Sequence, residues 1–225
     1  MNSERKRFFI PFVGQEYKTG INGKKILVVG ASFYCNIHDC EFFSECTNPD
    51  KKDSSHFNSI CPPYKKTNSE LKQTARYAIV EDDYTSYQTY LNFAECLQPY
   101  VEEGVNVWER VAFTNYVQFF IPTVTTHKKY LSERDFEAFK ETVLELKPDL
   151  IITWGMAILD PLRDNNKYVI DREKLAETDW YICHLEMPGV DHLITFLHSY
   201  HPSSSAWHQD IDYFTKYLEQ ALEIK

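Results

Sequence analysis

Four consecutive apolar residues, Ile26 to Val29, stand between the turn-forming Asn22-Gly23 and Gly30. A short unbroken apolar run bounded in this way predicts a strand buried on both faces, as in a parallel sheet. Gly30 ends it where a side chain would obstruct the turn or a close ligand. Ligands of open α/β sheets bind beyond the carboxyl ends of the strands. The residues that follow, Ala31 to Tyr34, are therefore expected to line a pocket floor.

The pattern recurs along the chain. Arg110 to Asn115 and Asp149 to Gly155 are further apolar runs that end in polar or small groups, and His192 to Tyr200 is the last, delivering His201-Pro-Ser203 at its end. Between them the periodicity predicts helices over Thr85 to Leu97, over 133–147 (begun weakly by Ser132 with Asp135 and stopped by Pro148), over Met156 to Leu162 and over 209–224. Residues 163–179 read as a loop and Tyr181 to Met187 as an edge strand. Strands alternating with helices predict a three-layer α/β/α domain with a central, mostly parallel, four-stranded sheet. The whole chain, 1–225, reads as one domain, with an N-terminal arm over 1–23 and a long loop insertion over 35–69.

The net charge of −9 argues against non-specific nucleic-acid binding, which rests on neutralising phosphates. Lysine pairs at Lys24-Lys25, Lys51-Lys52, Lys65-Lys66 and Lys128-Lys129 would form a basic patch only if they converged. No apolar run approaches the roughly 18 residues of a membrane helix, and Phe8-Phe9-Ile10 is too short for a signal core, so no membrane partner and a cytoplasmic location are expected. The loop holds Cys35, Cys40, Cys46 and Cys61 with His38 and His56, but no Cys-x-x-Cys. Two alternatives stay open: Cys40, Cys46 and Cys61 hold a structural zinc or an iron–sulfur cluster, or they are free thiols. No cofactor is required by the rest of the chain, and a monomer is expected.

Gly30-Ala-Ser-Phe-Tyr34, Phe113-Thr-Asn-Tyr-Val117 and His201-Pro-Ser-Ser-Ser-Ala206, in this order and each at a strand end, resemble the uracil-DNA glycosylase superfamily over about residues 24–207. The resemblance implies the fold already expected and a DNA or nucleobase-containing partner. It implies that Asn115 reads the base, that His201 donates to the departing base, and that Gly30, Ala31, Ser32, Phe33 and Tyr34 form the water-activating loop and close the pocket. Phe43, the weaker motif match, or Phe33 would be the ring that stacks on the base. Ser203 and Ser204 would hold a phosphate. The residue types suit the chemistry: an amide carries both a donor and an acceptor, enough to read a uracil edge, and a histidine donor stabilises charge as a glycosidic bond breaks.

One departure weighs on activity. Ala31 and Ser32 stand where the family carries an acid or amide that positions water, and a hydroxyl is not ionised, so general-base help is largely lost. Asp39, Asp82 or Asp83 would have to supply it. The expectation is a nucleobase-recognising protein that hydrolyses the N-glycosidic bond of a deaminated or damaged base in DNA. Its alternatives are a weak or inactive binding module of the same fold, and a different α/β hydrolase or transferase sharing only the strand-end geometry.

Overall fold

A computed structural model describes residues 7–35, 73–121, 128–174 and 180–224. Among them run β1 (Phe12–Val13), β2 (Ile26–Gly30), β3 (Phe33–Tyr34), α1 (Gln88–Leu97), α2 (Val107–Arg110), β4 (Val111–Asn115), β5 (Phe120–Ile121), α3 (Glu133–Leu146), β6 (Leu150–Trp154), β7 (Val169–Lys174), β8 (Tyr181–Leu185), β9 (Ile194–Ser199) and α4 (Ser205–Ala221). Seven strands form one sheet in the order β1-β4-β2-β6-β9-β8-β7, and β3 pairs with β5 in a second, two-stranded sheet.

The four strands expected from the apolar runs are the four parallel central ones, β4-β2-β6-β9. The sheet itself is wider than the four strands expected. β1 adds antiparallel to β4, and β8 and β7 add antiparallel beyond β9. Three expectations are corrected by this. The arm over 1–23 contributes an edge strand. The segment read as a loop, 163–179, contains β7, whose residues after Val169 are all exposed and so show no apolar face. Tyr181–Leu185 is consequently an inner strand rather than an edge.

Both faces of the central strands are covered, which is why they read as continuous apolar runs. Ile26, Val28, Phe113, Ile152 and Trp154 face a core completed by Tyr90, Phe93 and Leu97 of α1 and by Trp207, Phe214 and Leu218 of α4. Leu27, Val29, Ala112, Ile151 and Phe196 face the other core, with Phe139 and Val143 of α3. Helix α3 begins where Ser132 and Asp135 were noted. Asp135 Oδ2 accepts from the Ser132 backbone N–H at 3.0 Å and from its hydroxyl at 2.9 Å.

The crossover from β2 leads to β4 on one side, and the next returns past β2 to β6 on the other. Ligand crevices open at such a reversal, outside the carboxyl ends of the two strands. Here those ends are Gly30 and Trp154-Gly155.

Candidate functional site

Register brings the predicted strand ends into one row. Gly30 pairs with Asn115, Val29 with Thr153, and Trp154 with Ser199, so Asn115, Gly30, Trp154 and Ser199 lie side by side. Asn115, Gly30 and Trp154 continue the alternation that puts Phe113, Val28 and Ile152 on the face covered by α1 and α4.

Asn115 is 5% exposed, and its side-chain amide makes no hydrogen bond with any described residue. It lies across Gly30. A Cβ placed on Gly30 would meet Asn115 Oδ1 at 2.2 Å and the Phe113 ring at 3.1 Å, so the glycine is required by the amide's position rather than by its own backbone angle. The main chain beyond Asn115 is fixed from two sides. The Tyr116 and Val117 N–H groups donate to the carbonyls of Gly30 and Ala31 at 2.8 and 3.0 Å. Gln118, buried, donates through Nε2 to the carbonyls of Asn115 and Tyr116 at 2.8 and 3.2 Å. Gln118 Oε1 accepts from the backbone N–H groups of Phe8 and Phe9 at 2.9 and 3.1 Å, which ties the N-terminal arm to the same turn. Its own N–H donates to Asp135 Oδ1 at 2.9 Å. Burial raises the pKa of Asp135 to about 6 against the lowering effect of these donors.

His201 follows β9. Gly155, held at φ +83° with its N–H donating to the Ser199 carbonyl at 2.8 Å, lets β6 end directly beside the His201 Cβ, 3.9 Å from where a Cβ on the glycine would stand. The His201 ring meets that of Trp154 edge-on at 6.3 Å, and Trp154 meets Phe113 at 5.0 Å. The indole thus spans the floor between His201 and the strand that carries Asn115. Its Nε1–H is buried and has no partner among the described residues. His201 Nδ1 lies 2.9 Å from the Ser203 hydroxyl and accepts from the Ser203 N–H at 3.4 Å. A backbone N–H can only donate, so the neutral ring carries its proton on Nε2. Burial lowers the His201 pKa, which keeps the ring neutral at pH 7.

The other predicted residues have definite places. Ala31 is half-buried. Ser32 is buried, 9% exposed, and engaged with a neighbour. Phe33 and Tyr34 form β3 against Phe120 and Ile121. The Phe33 ring packs edge-on against Phe9 at 4.8 Å, within an aromatic group that includes Phe120. Ser204 caps α4, its hydroxyl accepting from the Trp207 N–H at 3.2 Å. Phe43, Asp39, Cys40, Cys46 and Cys61 lie outside the described residues.

Asp83 lines a cavity with Val13, Asn106, Trp108 and Glu109, at the start of β4 and therefore at the edge opposite Asn115. Asp82 accepts from the Tyr87 hydroxyl at 2.6 Å. Of the lysine pairs, Lys24 is bound to Glu223 at 2.6 Å, and Lys25 donates to the Lys147 carbonyl, again at the amino ends of the strands.

The sequence reading missed Gln118 and Asn92, and it noted Trp154-Gly155 only as one of the strand ends, with no role for the indole. Asn92 is buried on α1 and donates through Nδ2 to the Pro202 carbonyl at 2.6 Å. The signal for Asn92 and Gln118 was a lone amide inside an apolar stretch, between Leu91 and Phe93 and between Val117 and Phe119. Compared with known proteins, the chain matches no family model and no curated sequence. Among the described residues no helix is long and apolar enough to cross a membrane.

Proposed function

We propose that this protein recognises a nucleobase in the manner of the uracil-DNA glycosylases it resembles, and that it hydrolyses the N-glycosidic bond of a deaminated or damaged base in DNA. The observation that carries this reading is the Asn115 amide, nine-tenths buried and bonded to no described residue, at the reversal point of the sheet. A ligand edge with adjacent donor and acceptor can pair with both halves of that amide, and a pyrimidine such as uracil has one.

His201 supplies the complementary half. When the bond between C1′ and the base nitrogen breaks, the electron pair leaves with the base. A neutral imidazole with its proton on Nε2 donates a hydrogen bond to that developing charge. Water adds to C1′ and loses its proton to the departing base or to solvent. Ser32, buried and engaged, gives the water little help, so turnover on uracil is slow. The same observation favours the second reading, a module that binds the base and does not cut.

The test uses oligonucleotides bearing uracil, hypoxanthine or xanthine. Abasic product is expected above the level of a His201→Ala, Asn115→Ala control. Ser32→Asp should raise cleavage by about 10²-fold or more, the usual range of general-base assistance. Wild type and Ser32→Asp both inactive, but with calorimetric binding of a base that Asn115→Ala abolishes, would establish the binding module. Neither cleavage nor binding would overturn both readings.

A further inference from the structure

We infer that Asn92 is a positioning residue that sets the tautomer of His201 through the Pro202–Ser203 peptide. The inference rests on the proposed role of His201, but its central measurement does not need activity.

The Ser204 N–H donates to the His201 carbonyl at 2.8 Å, which closes a four-residue turn with Pro202 and Ser203 at its centre. Turns of this kind come in two common forms that differ by a flip of the central peptide, and proline at the second position is compatible with both. The flipped form would put the third residue, Ser203, at positive φ, which a serine resists, and the bonds on the central peptide add to that preference. Here both ends of that peptide are held. Its carbonyl, on Pro202, accepts from Asn92 Nδ2 at 2.6 Å. Its N–H, on Ser203, points at His201 Nδ1, 3.4 Å away.

A flip would take the N–H away from Nδ1. The ring would then be free to carry its proton on Nδ1, leaving Nε2 as an acceptor. An acceptor facing a departing anionic base repels it. The amide that holds the carbonyl thus adds to the turn's own preference in fixing which ring nitrogen donates.

Asn92 is built for this. It lies on α1 at 7% exposure, where a polar side chain needs partners. Its Oδ1 accepts from Gln88 Nε2, and its Nδ2 lies 3.5 Å from His208 Nε2 on α4 as well as on the Pro202 carbonyl. Gln88 and His208 thus orient the amide, and the amide orients the turn.

The experiment is nitrogen NMR of the imidazole at neutral pH on the full chain, for wild type, Asn92→Ala and Asn92→Asp. Asn92→Asp keeps the shape and the acceptor for Gln88 but sets an oxygen against the Pro202 carbonyl. Wild type should show the Nε2–H tautomer of His201 alone. Both variants should shift the signal toward Nδ1–H. Where wild type cleaves DNA, kcat should fall by about 10²-fold with KM little changed, the usual loss for a misplaced group. A wild-type ring with its proton on Nδ1 would overturn the inference even if both variants failed to fold, and so would folded variants with an unchanged tautomer. A tautomer shift in a protein without glycosylase activity would leave the Asn92 inference standing and remove only the reading of function.

Discussion

Two buried groups titrate against each other between pH 4 and 6, and replacing one should expose the other. Asp135 is fully buried, and burial raises its pKa from 3.8 to about 6. Between those values the folded chain holds a proton that the unfolded chain has lost. Its contribution to stability is therefore lost as the pH rises, by about 3 kcal/mol at 1.36 kcal/mol per pH unit. His198, stacked on Trp180 at 4.6 Å, runs the other way. Burial, helped by Arg163 and opposed by Asp164, lowers its pKa from 6.5 to about 4. There the unfolded chain holds the extra proton, so stability rises with pH by about 3 kcal/mol. The two contributions nearly cancel in this window. Asp135→Asn should remove the falling term and leave a rise of about 3 kcal/mol from pH 4 to 6.5, read by urea unfolding at fixed pH values. His198→Gln should give the mirror image. Subtracting the wild-type curve removes every other group that titrates alike in both, His201 included. An Asp135→Asn curve parallel to wild type across the window would refute the assignment of a raised pKa to Asp135.

Gly30→Ala places a Cβ 2.2 Å from Asn115 Oδ1 and must displace the amide. Base binding or cleavage should fall at least 10-fold while overpacking lowers stability by only about 1–3 kcal/mol; calorimetry and urea unfolding separate the two effects. Gln118→Ala leaves the N–H groups of Phe8 and Phe9 and the Asn115 carbonyl without their side-chain partner. It should cost about 2–4 kcal/mol, more than one lost hydrogen bond, and speed hydrogen exchange at Phe8 and Phe9. Unchanged exchange there would show that the arm is held by something other than Gln118.

What the sequence made legible was the part of the fold that is buried on both faces. Ile26–Val29, Val111–Phe113 and Leu150–Ile152 have to be apolar at every position because two helical layers cover them. The strand ends were readable for the same reason: a break from apolar to small or polar marks where the layers stop. β7 was hidden because Ile170 to Lys174 are exposed and their residue types resemble a loop. β1 was hidden because Phe12–Val13 is too short for any period to show. In the site, Gly30, Asn115 and His201 were legible as residue types at strand ends. The amides that hold them were not, since Gln118 and Asn92 act on the main-chain carbonyls of residues 115, 116 and 202. Backbone acceptors leave no trace in a sequence.

That division has a chemical consequence for the cleft. Asn115, Gln118 and Asn92 are side-chain amides, which offer donors and acceptors without titrating in the physiological range. On the proposed reading, base recognition and leaving-group stabilisation therefore hold at any pH where His201 stays neutral, and burial of the ring extends that range to the acid side. The water side is different in kind. Ser32 is a hydroxyl, and Asp83 sits at the opposite edge of the sheet with Trp108 and Glu109. On that reading, a cleft that binds the base and receives the departing anion, with no carboxylate beside the water among the described residues, should bind more strongly than it cuts. Whether the proposed activity is cleavage or binding alone then turns on the activation of one water molecule, and a carboxylate introduced at position 32 is the smallest change that supplies it.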